Sequence, residues 1–438
     1  MEAEQSNFIG RFVPRQPGPF RTMPRQTIFE ASLRYFLEPI VPYLEDDSVS
    51  EIMVNGFEEV YIERNGRLEK TDVRFASDDA LLSAIRNVAQ WVGREINEEK
   101  PVLDARLPNG SRVHAVIAPC ARRGTYLTIR KFFREALTME DMVRFGTVSA
   151  AAREFLELCV RLRKNLLISG GTGTGKTVLL GALSRAIPDE ERIVVIEDTS
   201  ELRLIQNHCL YLEAKHADKE GQGGLNVRQL FLNSLRMRPD RIIVGEVRGG
   251  EALDLIQSMI SGHTGSLSTI HANSPRDALV RLETLSLMSD VEIPVYVARA
   301  QVASAIHVLV QITRFVEDGS RRVTRITEAA GLDEQGQYRT QDLFTLRMRG
   351  KDRDGRLIGE MEPTGVLPTF CGEPFEQGME HLIQTSGPLW SRRGVASLDY
   401  ILVLCVIFPL ATMIMYYGPR IMRSAYEMMS ILISWPFG

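Results

Sequence analysis

The sequence predicts an α/β protein in which a smaller α+β domain precedes the main domain and a hydrophobic helix follows it. Three observations support this prediction: a glycine-rich turn between an apolar run and a helix at residues 166–183, alternating strand and helix patterns before it, and an uncharged apolar stretch over 400–417. The strands around the turn are apolar throughout, which is typical of buried parallel strands. We place the main domain over 149–330.

The length and composition set limits on what the chain can be. Its 438 residues are enough for two or three domains, and the net charge of −4 lacks the basic excess typical of nucleic-acid-binding proteins, so no nucleic-acid partner is expected. The five cysteines include no CxxC pair, which argues against a zinc site and a disulfide framework. A reducing cytosol fits this cysteine usage best.

The first part of the chain predicts an arm followed by a small domain. Residues 1–25 contain several prolines and arginines with little apolar periodicity, and we expect a flexible arm there. Residues 26–133 predict an α+β domain, with a helix from Ile28 to Leu44 and hairpins through Asn65-Gly66 and Asn109-Gly110. A linker with a short helix is expected over 134–148.

Three arginines lie in or beside strands of the α+β domain: Arg106, Arg112 and Arg130. Any one of them alone would be interpreted as an exposed strand residue. Guanidinium groups suit phosphate oxygens and commonly report on a γ-phosphate from a neighbouring domain. As a set, they predict a phosphate-sensing role.

The glycine-rich turn has the pattern of a phosphate-binding loop. It follows the apolar run Leu166–Ile168 and leads into a helix, which is the context that such a loop requires. Backbone N–H groups would contact the β- and γ-phosphates, Lys176 would reach the terminal phosphates, and the Thr177 hydroxyl would hold Mg²⁺. The predicted nucleotide-binding residues are Gly170, Gly171, Thr172, Gly173, Thr174, Gly175, Lys176 and Thr177.

Two carboxylates and a histidine follow further apolar runs. Glu197 and Glu246 each end a predicted parallel strand, and His271 ends a third. Ligands bind at this edge of an open α/β sheet. We expect Glu246 to orient or deprotonate the attacking water and to anchor the Mg²⁺ shell, with Glu197 as its acidic partner. His271 is expected to sense the γ-phosphate.

A group of arginines surrounds the Glu246 strand. It comprises Arg236, Arg238, Arg241 and Arg248. At a subunit boundary these side chains could reach a phosphate held by a neighbouring subunit. Arg248 is therefore added to the candidate nucleotide-binding residues.

Together these motifs carry a resemblance to a known superfamily. The stretches GGTGTGKT, VVIEDTSEL, RPDRIIVGEVRGGEA and SGHTGSLSTIHAN resemble the Walker A, acidic, Walker B and histidine boxes of the ATPases of type II and type IV secretion and pili. RLPNGSRVHAVIAP and LTIRKF most resemble the tight-adherence (Tad/Flp, CpaF-like) pilus assembly branch. The absence of the tetracysteine module argues against the type II branch.

The resemblance implies a fold, a reaction and partners. It implies a RecA-like ATPase domain that binds ATP and Mg²⁺, with Lys176, Glu197, Glu246 and His271 at the catalytic centre. It further implies that the three arginines of the first domain close over the nucleotide. The chain would form a homohexamer at the cytoplasmic face of the bacterial inner membrane and dock on a platform protein of the pilus or secretion machine.

The end of the chain departs from that family. We predict a C-terminal subdomain over 331–385 and a hydrophobic tail over 386–438, with a transmembrane helix at 398–417. Three interpretations remain open for the tail. It could anchor the chain in the membrane, it could be a pilin-like segment cleaved after Gly394, or it could be an inert fusion.

The functional alternatives also stay open. The leading hypothesis is a hexameric motor for pilus assembly or protein secretion, and a conjugative-transfer motor of the same superfamily is the second. A scaffold that binds ATP without turnover and a RecA-type DNA motor are the others. The intact Lys176, Thr177 and Glu246 argue against the scaffold.

Overall fold

The structure is a computed structural model that describes residues 25–64, 66–132, 137–215, 223–353, 355–383, 389–390 and 408–434. The chain forms two compact units, Met1–Arg134 and Glu135–Gly438. Residues 1–24 of the predicted arm and the predicted cleavage position at Gly394 lie outside the described residues.

The first unit contains a six-stranded antiparallel sheet with the strand order β3-β2-β1-β6-β5-β4. Its strands are β1 Val49–Asn55, β2 Val60–Arg64, β3 Arg67–Lys70, β4 Val102–Arg106, β5 Arg112–Val116 and β6 Tyr126–Arg130. Its helices are α1 Arg25–Phe36, α2 Val41–Glu45 and α3 Asp78–Trp91, with a 3₁₀ turn at Glu38–Ile40. Both predicted hairpins are present, as the pairs β2–β3 and β4–β5.

The helix that we predicted over Ile28–Leu44 is interrupted in the structure. The helix α1 ends at Phe36, and the 3₁₀ turn and α2 follow as separate short pieces. Pro39 and Pro42 each occupy one of the first two positions of these pieces. Proline lacks a backbone N–H, so it ends a preceding helix and is tolerated in the first turn of the next one. The apolar periodicity across this segment therefore predicted a helix that is longer than α1.

The second unit is built on a nine-stranded sheet with the order β15-β14-β13-β12-β7-β11-β10-β8-β9. The strands are β7 Leu166–Gly170, β8 Ile193–Glu197, β9 Cys209–Glu213, β10 Arg241–Val244, β11 Leu267–His271, β12 Val308–Arg314, β13 Arg321–Leu332, β14 Tyr338–Lys351 and β15 Leu357–Pro363. Strands β7 to β12 are parallel, and β13 to β15 pair antiparallel.

Helices cover both faces of this sheet. They are α4 Met139–Arg144, α5 Ala150–Arg161, α6 Lys176–Ser184, α7 Val227–Ser234, α8 Glu251–Ile260, α9 Pro275–Ser286, α10 Val295–Ala305 and α11 Glu373–Glu376, with 3₁₀ turns at Leu235–Met237 and Glu380–Leu382. Successive residues of a strand point to opposite faces. Accordingly Ile168 packs with α5 and α6 on one side, and Leu167 packs with α7 to α10 on the other. The unbroken apolar runs in the sequence reflect this burial on both faces.

Two of the predicted segments pack into the second unit. The short helix expected in the linker over 134–148 is present as α4, and its Met139 and Met142 are buried in the core of the second unit. The segment 331–385, predicted as a separate subdomain, supplies β14 and β15 to the nine-stranded sheet, and β13 crosses the predicted boundary. Phe344 on β14 joins the core around α5, so this segment belongs to the main hydrophobic core.

The last described element is α12, Phe408–Ser434. Of the predicted transmembrane segment, residues 398–407 lie outside the described residues. The helix exposes many apolar side chains and contains Pro419. Within the described part of the chain, we find no helix whose length and apolar character would suffice to cross a bilayer.

Candidate active site

The loop between β7 and α6 has the backbone form of a phosphate cradle. Gly173 and Gly175 have φ values of +70° and +92°, which favour glycine, and Gly175 is the N-cap of α6. A Cβ on Gly170 would lie 2.4 Å from the carbonyl oxygen of Ile312 on β12. The glycines therefore permit both the turn and the close packing of the neighbouring strand. Thr177 follows Lys176 in the first turn of α6.

Lys176 is folded back over this loop. Its side chain is buried, and Nζ donates hydrogen bonds to the carbonyl oxygens of Gly170 at 3.2 Å and Gly171 at 2.9 Å. The same Nζ lies 3.3 Å from Nδ1 of His271. A single ammonium group thus joins the phosphate loop to the end of β11.

Of the predicted acidic and histidine residues, Glu246 and His271 meet because their strands are neighbours. The strands β7, β11, β10 and β8 lie side by side in parallel, so their carboxyl ends share one edge. At this edge His271 Nε2 lies 2.9 Å from Glu246 Oε1. Arg248 Nη2 lies 2.8 Å from Glu246 Oε2. The result is a continuous chain of contacts through Lys176, His271, Glu246 and Arg248.

The electrostatics of this chain fix its protonation. Burial lowers the pKa of His271, and the Lys176 charge lowers it further. For Glu246, burial acts to raise the pKa, but the Arg248 hydrogen bond and the charges of Arg248 and Lys176 outweigh it and hold the pKa below its usual value. Because the Lys176 ammonium can only donate, Nδ1 of a neutral His271 must accept and Nε2–H must donate to the Glu246 carboxylate.

Glu197 has a different environment from Glu246. Its side chain is buried, and Oε1 accepts hydrogen bonds from the backbone N–H groups of Glu201 at 2.9 Å and Leu202 at 3.1 Å. A Cβ on Gly245 would approach Glu197 Cγ to 2.7 Å. Glu197 therefore orders the loop after β8 and packs against the residue that precedes Glu246.

Two residues that the sequence analysis did not select support the site. Glu251 Oε1 accepts from the backbone N–H groups of Arg248 at 2.7 Å and Gly249 at 2.8 Å, which orders the turn after Glu246. Gln311 Oε1 accepts from the Ser169 hydroxyl, and its Nε2 donates to the Ala272 carbonyl at 3.2 Å. A lone buried glutamine in the apolar strand β12 is the signal that could have identified it.

An open cavity of about 670 Å³ adjoins the site. Glu246, Arg248 and Glu251 form part of its wall, and Asp198 lines it from the loop after β8. Arg248 Nη1 lies 3.4 Å from Asp198 Oδ2, so this guanidinium group contacts acids on two strand ends. Burial opposes the charge of Arg248, but its hydrogen bond to Glu246 dominates and raises its pKa.

The predicted group of arginines around β10 does not act as one surface. Arg241 is fully buried, ion-paired with Glu191, and donates to the Gly265 carbonyl at 3.1 Å. Burial lowers its pKa against the opposing effect of Glu191. Arg241 cannot reach a neighbouring subunit, and its role is structural. Arg236 and Arg238 are exposed.

The three arginines of the first unit form a row across its sheet. Arg106 pairs with Arg112 across β4 and β5, and Arg112 pairs with Arg130 across β5 and β6. Directly paired residues of antiparallel strands project from the same face. The three side chains therefore leave the sheet on one face.

Comparison with known proteins identifies the family. The model of the family described as "Type II/IV secretion system protein" matches residues 36–357. The chain belongs to this family. The type IV secretion system protein PtlH of Bordetella pertussis is 35% identical over 320 residues, which cover 67% of this chain and 94% of PtlH.

One further relative and one solved structure are similar to this chain. A putative conjugal transfer protein of Mycobacterium tuberculosis is 34% identical over 291 residues, which cover 65% of this chain and 82% of that protein. The solved structure of the DotB ATPase of Yersinia pseudotuberculosis superposes with a TM-score of 0.50 at 14% identity, covering 68% of this chain and 78% of DotB. At this identity the likeness concerns the fold alone.

Proposed function

We propose that this chain is an ATP-hydrolysing motor of a secretion or pilus machine. The observation that carries the proposal is the chain of contacts from Lys176 through His271 to Glu246, in which the phosphate loop is joined to a carboxylate on a neighbouring strand end. A scaffold that only binds nucleotide would have no use for this connection.

The residues of the loop fit a nucleoside triphosphate. The glycines at 170, 173 and 175 occupy positions where a side chain would clash or strain the backbone, so the N–H groups of the turn can converge on phosphate oxygens. Lys176 Nζ would give up its hydrogen bonds to the carbonyl oxygens of Gly170 and Gly171 and bind the terminal phosphates instead. Thr177 and Glu246 are proposed to hold Mg²⁺, with Glu197 as the predicted acidic partner. When bound, Mg²⁺ neutralises charge on the phosphates.

Glu246 is suited to orient the attacking water. Its lowered pKa keeps it ionised at neutral pH, so it accepts a hydrogen bond from water and aims the oxygen at the γ-phosphate. His271 holds one carboxylate oxygen through Nε2–H, and Arg248 holds the other. The position of Glu246 thus depends on Lys176, which gives the site a means to detect the terminal phosphate.

The wider assembly remains part of the proposal. We infer a homohexamer at the cytoplasmic face of the bacterial inner membrane that acts on a membrane-embedded platform protein. The arginine row of Arg106, Arg112 and Arg130 is proposed to bind nucleotide phosphate. Motion driven by hydrolysis would then be passed to the platform.

Two machines are candidates for this motor. The RLPNGSRVHAVIAP and LTIRKF stretches favour a Tad-type pilus. Similarity to a putative conjugal transfer protein and to PtlH favours conjugation or type IV secretion equally. Deleting the gene and scoring surface pili, plasmid transfer and secreted protein separately distinguishes the two machines.

The tail interpretations can be separated with a C-terminal tag on the full chain. Expression with and without a prepilin peptidase, followed by blotting, tests cleavage after Gly394. A short tagged fragment that requires the peptidase supports the pilin-like segment. A full-length chain that resists carbonate extraction supports the anchor, and an intact chain that is released excludes both.

The proposed activity is tested with the Lys176→Ala and Glu246→Gln variants of the full chain. Lys176→Ala is expected to lose ATP binding. Glu246→Gln is expected to bind ATP but to hydrolyse it about 10²–10³-fold more slowly, as is typical when a group that stabilises the transition state is removed. Arg325→Ala, which removes an exposed ion pair with Asp342, is the control. Wild-type hydrolysis in Glu246→Gln would contradict the assigned role.

A further inference from the structure

A hairpin of the second unit brings two arginines to the phosphate loop. The strands β12 and β13 are joined by residues 315–320, and the last residue of β12, Arg314, pairs directly with the first residue of β13, Arg321. Paired residues of antiparallel strands project from the same face. Both side chains therefore leave the hairpin on one side.

That side faces the turn between β7 and α6. Arg321 Nε donates a hydrogen bond to the Gly173 carbonyl at 3.0 Å, and Arg321 Cδ lies 3.4 Å from the position of a Cβ on Gly175. Arg314 Nη1 lies 3.7 Å from the position of a Cβ on Gly173. Both arginine side chains thus lie beside the two glycines whose positive φ values shape the cradle, and Arg321 is hydrogen-bonded to one of them.

The neighbouring arginines of the hairpin make contacts elsewhere. Arg322 follows Arg321, and its guanidinium group donates to the carbonyls of Gly359 at 3.1 Å and of Leu357, which fastens the hairpin to β15. Arg325 forms an exposed ion pair with Asp342 at 3.3 Å. Among the described arginines of β12 and β13, Arg314 and Arg321 are the two that lie beside the phosphate loop.

The strand β12 contacts the same site a second time. Gln311, three residues before Arg314, bridges the Ser169 hydroxyl and the Ala272 carbonyl, which lie at the ends of β7 and β11. A displacement of β12 would therefore move both the cradle and the segment that carries His271. The position of the hairpin is mechanically tied to the candidate active site.

We infer that Arg314 and Arg321 complete the phosphate site from within the same chain. Arg314 binds the terminal phosphates of the nucleotide beside Lys176, and Arg321 is a positioning residue that holds the Gly173 turn in its binding form. This inference rests on the proposed function, because it assigns a phosphate-binding role at the same site. Guanidinium groups form charge-assisted hydrogen bonds with phosphate oxygens, so they select nucleotides by the number of phosphates.

The test uses the full chain and measures the Kd of ATP, ADP and AMP for Arg314→Ala, Arg314→Lys, Arg321→Ala and the control Arg325→Ala. Arg314→Ala is expected to weaken ATP and ADP binding by about ten- to a hundredfold, the effect of one charge-assisted hydrogen bond, and AMP binding much less. Arg314→Lys should recover part of the loss. Arg321→Ala is expected to raise KM for ATP more than it lowers kcat.

The outcomes separate this inference from the proposed function. If the unaltered chain bound no ATP, both would fail. If it bound and hydrolysed ATP but Arg314→Ala bound ATP as tightly as Arg325→Ala does, this inference alone would be wrong. Equal losses for ATP and AMP together with a lowered melting temperature would assign Arg314 a structural role and would also overturn it.

Discussion

His307 is held in its neutral form by its surroundings. Burial, and then the charge of Lys164, lower its pKa from 6.5 to about 4. Its Nδ1 accepts a hydrogen bond from the backbone N–H of Asn165 at 3.1 Å, which requires an unprotonated nitrogen. His307 therefore does not oppose folding at pH values where the unfolded chain is also neutral at this position, and it opposes folding once the unfolded chain becomes protonated there.

We predict that His307 makes stability fall in mild acid. Below pH 6.5 His307 becomes protonated in the unfolded chain, whereas in the folded chain it stays neutral down to about pH 4. The free energy of unfolding therefore decreases as the pH falls from 6.5 to about 4. The loss is at most roughly 3 kcal/mol. Urea unfolding at several pH values should show a shallower decrease for His307→Gln. Identical slopes for the two proteins would contradict this assignment.

Gly245 has no space for a side chain. A Cβ there would lie 2.7 Å from Glu197 Cγ, and the Glu197 carboxylate is fixed by two backbone N–H groups. We expect Gly245→Ala to destabilise the protein by about 1–3 kcal/mol through overpacking. Gly181→Ala in α6 is the matched control, since its Cβ would meet Leu202 Cδ2 at 3.6 Å. In denaturant unfolding, the free energy of unfolding of Gly181→Ala should equal that of the unaltered chain or exceed it by up to about 1 kcal/mol.

Sequence patterns predicted the residues that meet at the candidate site because each carries a local signal. Lys176 follows the glycines, and Glu246 and His271 each follow an apolar strand. Gln311 is marked by its position as a polar residue in a largely apolar strand, whereas Glu251, Arg314 and Arg321 have no comparable signal. Their roles depend on which strands are neighbours, and the sheet order places β12 beside β7 although the two are far apart in sequence.

At the scale of elements, an aromatic cluster joins α5 to segments late in the chain. The ring of Phe155 on α5 lies 5.3 Å from that of Trp390 and 5.5 Å from that of Phe344 on β14. Phe370 lies 6.0 Å from Trp390. All four rings belong to one hydrophobic core of the second unit.

We predict that Trp390→Ala destabilises the second unit by about 3–5 kcal/mol, because it removes a buried ring and leaves a cavity. Trp390→Phe should recover most of this loss by retaining the ring contact with Phe155. Chemical unfolding followed by circular dichroism measures both variants. A change below about 0.5 kcal/mol in the alanine variant would show that the cluster does not stabilise the fold.

The sequence predicted the parallel strands well and the antiparallel extension poorly. The strands β7, β8 and β10 each contain an unbroken apolar run of at least three residues, and these runs revealed them. In contrast β14 and β15 carry many exposed polar residues, and their pairing partners are hairpin neighbours rather than parallel strands. The interrupted helix over α1 and α2 was missed because the periodic pattern continues past Pro39.

At the scale of the whole molecule, the described part of the tail is distinct from the hydrophobic cores. The helix α12 exposes apolar side chains such as Met415 at 79% and Ile433 at 83%, and its residues are absent from the buried clusters among the described residues. Exposed apolar side chains in this number promote association or binding to amphiphiles.

We predict that a chain ending at residue 400 keeps the thermal stability of the full chain. Its melting temperature should lie within about 2 °C of the full-length value, since no described core contact is removed. Binding of an apolar fluorescent dye should fall in the shortened chain. Differential scanning calorimetry measures the first quantity, and a decrease of more than about 4 °C would show that the tail packs on the folded units.

The contact between Lys176 and His271 ties nucleotide binding to proton exchange with the solvent. The Lys176 charge helps to keep the pKa of His271 low. Phosphates that bind beside Lys176 would offset this charge, so the pKa of His271 would rise and the site would take up protons at mildly acid pH. Calorimetric titration of ATP into buffers of different ionisation enthalpy detects this uptake, and His271→Asn should abolish it. The affinity of the chain for ATP would then increase as the pH falls through this range.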